Sequence, residues 1–149
     1  MSLKERLQED WKHALKSGDK LKADTISMVK AAILLVEKSN GKRLDDDKKI
    51  MDIISKEVKQ RRESIREFEK GKRQDLIDET KSEIEILLKY LPQQLKKEEI
   101  SEIVRKAVNK VGAQSIRDMK KVMSVVMPET RGRADGKLVS QIVKQYLNK

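Results

Sequence analysis

The sequence predicts an all-α fold, with a four-helix N-terminal lobe followed by a three-helix C-terminal lobe. Apolar residues recur every three or four positions along most of the chain, the period of a helix with one buried face. Only two prolines and six glycines occur in 149 residues, and most fall between apolar stripes, where helices must stop. Lys, Glu, Gln, Leu and Ala, which lose little rotamer freedom in a helix, make up much of the rest. Strands would need β-branched and aromatic runs broken by turn residues, and few are visible.

The first helix opens at Ser2-Leu3-Lys4-Glu5, a capping-box pattern, and carries Leu3, Leu7, Trp11 and Ala14 on one face. Ser17-Gly18-Asp19 ends it and starts the next, which turns Leu21, Ile26, Val29, Ile33 and Val36 inward, with Met28 and Ala32 beside them. After the turn Ser39-Asn40-Gly41, a long third helix follows Asp45. Its stripe is Ile50, Ile54, Val58, Ile65 and Phe68, interrupted by Arg61 and Arg62, and Gly71 stops it. The fourth helix carries Leu76, Ile77, Ile84, Leu87, Leu88 and Leu91 and ends before Pro92.

Pro92-Gln93-Gln94 marks the expected boundary, giving an N-terminal domain of residues 1–92 and a C-terminal domain of 93–149. Beyond it, Ile100, Ile103, Val104, Ala107, Val108 and Val111 form a fifth apolar face, closed by Gly112. Ser115-Ile116-Arg117-Asp118 is a second capping-box pattern, followed by Ile116, Met119, Val122, Met123 and Val126 at helical spacing up to Pro128. Asp135 caps a last helix with Leu138, Val139, Ile142, Val143, Tyr146 and Leu147 turned inward.

No cysteine is present, so disulfides and cysteine metal sites are excluded, and a reducing compartment fits. Residues 1–10 have no apolar core of a signal peptide, and the apolar stretch 31–36 is too short to span a bilayer. The expectation is a cytoplasmic protein that does not enter a membrane.

Catalysis needs a nucleophile, a tuned acid or base, a metal or a cofactor cradle. His13 is the sole histidine, and its spacing from Asp10 would serve a di-iron bundle only with a second such pair. Glu83 and Glu85 diverge on their helix, Asp45-Asp46-Asp47 reads as a solvated helix start, and no phosphate-binding Gly-rich motif occurs. Met119, Met123 and Met127 read as core. The chain is therefore expected to be non-catalytic, with no cofactor and no metal.

The charge is more informative. Lys and Arg outnumber Asp and Glu by 35 to 25. Residues 1–92 carry a net of +3, while residues 93–149 carry 13 basic and 6 acidic groups, a net of +7. This asymmetry predicts an anionic partner for the C-terminal lobe. Lys120 and Lys121 lie opposite the apolar stripe of their helix, Arg131 and Arg133 flank Gly132 in the following loop, and Lys137 and Lys144 share the polar side of the last helix. These six are the candidate nucleic-acid-binding residues. A solvated charged face is the alternative reading of the same pattern. Tyr146 is the lone aromatic residue of this third, so single-stranded bases would find no stacking platform, and a folded RNA read by shape and backbone is the better fit. A helical protein–protein adaptor meeting an acidic partner is the competing function.

Three C-terminal segments resemble the signature of the GatB/YqeY tail domain: Val111-Gly112-Ala113, Asp118-Met119-Lys120-Lys121-Val122-Met123, and Gly132-Arg133-Ala134-Asp135-Gly136-Lys137-Leu138-Val139. Upstream, Glu57-Val58-Lys59-Gln60-Arg61-Arg62-Glu63-Ser64, Phe68-Glu69-Lys70-Gly71-Lys72-Arg73-Gln74-Asp75-Leu76 and Tyr90-Leu91-Pro92-Gln93-Gln94-Leu95 resemble the N-terminal part of the YqeY family. The resemblance spans the chain and implies four helices, then three. It also implies kinship with the tail of the B subunit of the tRNA-dependent amidotransferase, which amidates mischarged Glu-tRNA(Gln) or Asp-tRNA(Asn). That tail helps hold the tRNA, while the chemistry lies in other domains. The implied partner is thus tRNA or a tRNA-handling complex. The implied tie to carbon–nitrogen ligase activity, with glutamine as amido-N-donor, is one of kinship only. Lys120 stands where a Gly is usual, Lys96 where a Ser is, Thr80 where an acidic residue is, and Ser27 where an Arg is.

Overall fold

A computed structural model describes residues 1–148. It contains seven α-helices and no strand among the described residues: α1 (Leu3–Ser17), α2 (Lys20–Asn40), α3 (Asp47–Lys70), α4 (Gln74–Leu88), α5 (Lys97–Val111), α6 (Met119–Thr130) and α7 (Gly136–Leu147). A single 3₁₀ turn, Ile116–Asp118, precedes α6. The chain divides into two compact units, Met1–Leu91 and Pro92–Lys149.

In the N-terminal unit, α1 to α4 enclose a core in which Leu7, Ile26, Val29, Ile50, Ile54 and Leu87 are almost entirely buried. The helix starts are chemically fixed. The Ser2 hydroxyl accepts from Glu5 N–H at 3.1 Å, and the Asp19 carboxylate from Lys22 N–H at 3.1 Å. Asp46 caps α3 through Lys48 N–H, while Asp47 accepts from Leu3 N–H at 3.1 Å and ties the start of α1 to the start of α3.

Three features of this unit depart from the sequence reading. Arg61 does not interrupt the α3 stripe from outside; it is buried and completes it, ion-paired with Glu57 on its own helix and Glu83 on α4. Met28 lies outside the core, 52% exposed, because the neighbouring positions Thr25, Ile26 and Val29 take the inward face of α2. Phe68 is only half-buried. Gly71 ends α3 as expected, with an ordinary φ of −87°, and the left-handed conformation falls on Lys72 at φ 54°. A side chain there meets the carbonyl clash that glycine avoids. Lys72→Gly is accordingly expected to raise stability by about 0.5 kcal/mol, the steric relief being partly offset by glycine's greater unfolded entropy. Thermal denaturation of the two proteins checks it, and an unchanged or lower Tm would count against strain at Lys72.

Tyr90, just beyond α4, is buried and donates its hydroxyl to Asp10 Oδ2 at 2.5 Å, with the Arg6 guanidinium 4.7 Å from its ring centre. Burial and the Asp10 carboxylate push the phenol well above its ordinary range, so it stays a neutral donor. Arg6 also donates to Lys89 O at 3.0 Å. These contacts pin α1 to the end of α4. Tyr90→Phe keeps the ring and loses the hydrogen bond, for an expected cost of about 1–2 kcal/mol in urea denaturation. A cost indistinguishable from zero would mean that water replaces the phenol without loss.

The C-terminal unit has its own valine-rich core: Ile100, Val104, Val122, Val126, Val139 and Val143 are fully buried. Lys96 cannot accept as a helix cap, and the compensation is visible: the Glu99 carboxylate reaches back to Lys96 N–H at 3.0 Å. The expected capping box at Ser115 is replaced by the 3₁₀ turn. Ser115 Oγ accepts from Arg117 N–H at 3.3 Å, and Asp118 bonds Gln114 N–H at 2.9 Å. This tighter turn leaves Ile116 44% exposed rather than in the stripe. Helix α6 also continues two residues past Pro128, whose ring removes one donor without ending the helix; beyond it Thr130 Oγ1 donates to Val126 O and Arg131 N–H to Met127 O. Met119 and Met123 pack on the core as expected, but Met127 is 39% exposed.

Candidate nucleic-acid interface

The six candidate residues lie on α6, on the loop 131–135 and on α7, two helices that pack against each other. The buried side of α6 is Val122, Val126 and Thr130. Lys120 and Lys121 lie away from it in the first turn, and both are exposed. On α7 the buried side is Val139, Ile142, Val143 and Leu147, and Lys137, Gln141 and Lys144 face solvent. Lys120 and Arg131 are eleven residues apart along α6, about 16 Å, and Lys137 and Lys144 two turns apart, about 10 Å. The cations therefore form a band along a helical hairpin, not a point cluster.

Arg131 is exposed, but Arg133 is half-buried. The Arg133 guanidinium is turned toward the Gln93 and Glu129 carbonyls at 3.4 and 3.5 Å, and its own carbonyl accepts from Leu95 N–H at 2.7 Å. Gly132 supports this loop with φ 74°, and its carbonyl accepts from Gln94 Nε2 at 2.8 Å. Arg133 thus holds the loop against residues 93–95. The loop's tightness, which turns Arg133 inward, was not readable from the spacing of Arg131-Gly132-Arg133. The N-terminus of α7 is also occupied from within: the Asp135 carboxylate accepts from Lys137 N–H at 3.2 Å.

The acids of this unit are largely engaged with the backbone or with each other's neighbours. Glu102 pairs with Arg105, Glu99 and Asp135 cap helices, and Asp118 accepts from Gln114. The Gln114 N–H, then the Ser115 N–H and the nearby Lys121 ammonium, hold the Asp118 carboxyl below its ordinary range. Among the described residues, Lys120, Lys121, Lys137 and Lys144 have no carboxylate within ion-pair distance. Neither α6 nor α7 has an acid in its first turn, where the helix dipole favours one; lysines stand there instead. Tyr146 packs against the core, half-buried.

His13 is exposed, and Asp10 is bonded to Tyr90 instead. No cluster of three or more metal-ligating side chains occurs among the described residues, and no helix there is long and apolar enough to cross a membrane.

Residues 4–147 match the family model of YqeY-like proteins. The chain is also similar to the protein named altered inheritance of mitochondria protein 41, mitochondrial. It is 31% identical to that of Pyrenophora tritici-repentis over 95% of this chain and 79% of the relative. Against the proteins of the same name from Candida glabrata and Lachancea thermotolerans, identity is 38% and 40%, over 57% and 58% of this chain. Those two alignments span about half of each relative, 47% and 46%. These relatives overturn the expected cytoplasmic location, since their names place them in mitochondria. The lack of an apolar stretch in residues 1–10 has no bearing on a mitochondrial location, because mitochondrial targeting segments are amphipathic, not apolar. Helical content, order of motifs and a family match from residue 4 to 147 agree: the chain belongs to the YqeY-like protein family.

Proposed function

We propose that this chain is a non-catalytic module whose C-terminal unit binds the phosphate backbone of a folded tRNA, or of a tRNA within a larger complex. The observation that carries the reading is the set of unneutralised lysines on α6 and α7: Lys120, Lys121, Lys137 and Lys144 are exposed, while Glu99, Asp118 and Asp135 are bound to backbone N–H groups and Glu102 to Arg105. The resemblance of this unit to the tRNA-holding tail of the amidotransferase B subunit supports the same partner. The band of cations suits a backbone track, and the lack of an exposed aromatic residue argues against stacking on unpaired bases.

The test is a titration of folded tRNA by anisotropy at several salt concentrations. With about four to six phosphates neutralised, log K falls with log salt at a slope of roughly −3 to −5. Binding that ignores salt, or none at low salt, would reject the reading and leave an acidic protein as the partner of this face.

A further inference from the structure

The N-terminal unit carries a groove that the RNA reading does not use. It runs between α1 and α2 and holds about 600 Å³, within the range of roughly 300–1,000 Å³ that small-molecule sites occupy. Leu7 and Ile33 form its floor and are almost fully buried, while Ala31 and Leu34 stand on the α2 wall, Leu34 49% exposed. The apolar surface stops at these walls. Met28 and Leu35, the other large apolar residues exposed on α2, do not line the groove, and Met28 turns to Arg61 of α3, 3.2 Å away. A docked helix needs apolar anchors over several turns, and the groove offers one short strip instead.

The strip has two unlike ends. At one, Lys4 is neutralised by Glu37 at 2.8 Å and Asp45 at 3.7 Å, and Arg43 by Asp45 at 3.8 Å. At the other, Lys30 sits 3.7 Å from the centre of the Trp11 ring with Lys12 beside it, and neither lysine has a carboxylate within ion-pair distance among the described residues. Partial burial first, and the Lys12 charge second, hold the Lys30 ammonium below its ordinary range. An anion between the two ammonium groups offsets their repulsion. Glu5 and Glu9 stand on the exposed rim of α1, so an anion is repelled from the middle of the strip and drawn to the lysine end. Lys4 and Lys12 are eight residues apart on α1, about 12 Å, the reach of a hydrocarbon chain of medium length.

We infer that this groove binds a single-chain fatty carboxylate of medium length, its head between Lys12 and Lys30 and its tail along Leu7, Ile33 and Leu34 toward the Lys4–Glu37 pair. The charge difference between the ends sets the direction of the chain, and the confinement of the apolar strip sets its length.

Trp11 is the only tryptophan of the chain, so its emission reads the lysine end directly. The full chain is titrated with carboxylates from hexanoate to tetradecanoate, below micelle-forming concentrations, by Trp11 emission and by calorimetry. Decanoate is expected to bind saturably, and at least about 10-fold more tightly than decyltrimethylammonium, which has the same tail and the opposite charge. Affinity should rise by about 2- to 4-fold per added carbon from hexanoate, and level off beyond dodecanoate, where the tail has passed the Lys4–Glu37 pair. Leu34→Glu should weaken decanoate by about 10-fold or more. Lys12→Glu with Lys30→Glu should reverse the head-group preference, a result that a merely unfolded variant cannot produce. No saturable binding, equal binding of both head groups, or an affinity that keeps climbing to tetradecanoate overturns the proposal. So does binding to phosphatidylglycerol vesicles without binding to monomeric decanoate, which assigns the strip to a membrane surface. A monomer–dimer equilibrium that Leu34→Glu abolishes also overturns it, in favour of a second copy.

Discussion

Arg61→Met is expected to destabilise the protein by about 3–5 kcal/mol at neutral pH, because it leaves two partly buried carboxylates without their cation. The Arg61 side chain is 8% exposed, that of Glu57 13% and that of Glu83 21%. Its guanidinium donates to Glu57 Oε1 at 3.0 Å and Glu57 O at 3.2 Å, lies 3.2 Å from Met28 Sδ, and stands 3.7 Å from Glu83 Oε1. That last distance, from Arg61 Nε, makes an ion pair, not a hydrogen bond, and leaves Nε without a hydrogen-bond acceptor. The cluster joins α3 to α4 at the cost of desolvating three charges.

The pH dependence distinguishes this from lost packing. Burial raises the Glu83 carboxyl above its ordinary value, and the Arg61 charge opposes the rise. A carboxyl raised on folding favours the native state below its unfolded pKa, and that advantage is lost as pH climbs through the folded value. Removing Arg61 widens the gap. The penalty of Arg61→Met should therefore be large at pH 7 and shrink toward the acid side of the carboxylate range, where Glu83 is protonated. Urea denaturation at the two ends of that range measures it. Adding Glu57→Gln and Glu83→Gln should restore most of the loss at pH 7. A penalty that is small, or equal at both pH values, would show that Arg61 contributes through its alkyl stem alone.

Arg61 also shows where the sequence stops being legible. The helices themselves follow from local rules, since apolar spacing, Ser2, Asp19 and Gly112 fix starts and stops within a few residues. Glu83 lies on another helix, and only the folded structure brings it to Arg61, so an arginine in an apolar stripe read as an interruption. The face of α2 was ambiguous for a similar reason. Residues 31–36 are apolar on all sides, and which of them face outward depends on where α1 and α4 pack. At the candidate interface, the lysines' exposure follows from their position opposite Val122, Val126 and Val139. The inward turn of Arg133 depends on a contact with residues 93–95, forty positions away, which no local pattern encodes.

Lys120→Glu/Lys121→Glu/Lys137→Glu is expected to weaken tRNA binding by about 100-fold or more at low salt, and to flatten the salt slope by about 3, while leaving the fold intact. The argument turns on two effects of opposite sign. Lys120, Lys121 and Lys137 occupy the first turns of α6 and α7, where neither helix carries an acid. Glutamates there meet the positive end of the dipole and gain about 0.3–1 kcal/mol each, apart from screening. At position 121 the nearby Asp118 carboxylate cancels part of the gain, because the Lys121 charge now helps hold it ionised. The stability of the triple variant should thus be equal to or slightly above that of the parent. On the proposed function RNA binding responds the other way: each reversal would remove a counterion-releasing contact and add repulsion. Arg133→Ala is the contrasting variant, since its guanidinium faces the Gln93 and Glu129 carbonyls, and it should lower stability more than it changes the salt slope. Thermal melts and salt-dependent anisotropy on the same preparations give both readings. If the triple variant binds tRNA as the parent does, the α6–α7 band is not the contact surface. If it loses stability and affinity together, the lysines are structural and the phosphate-backbone reading fails.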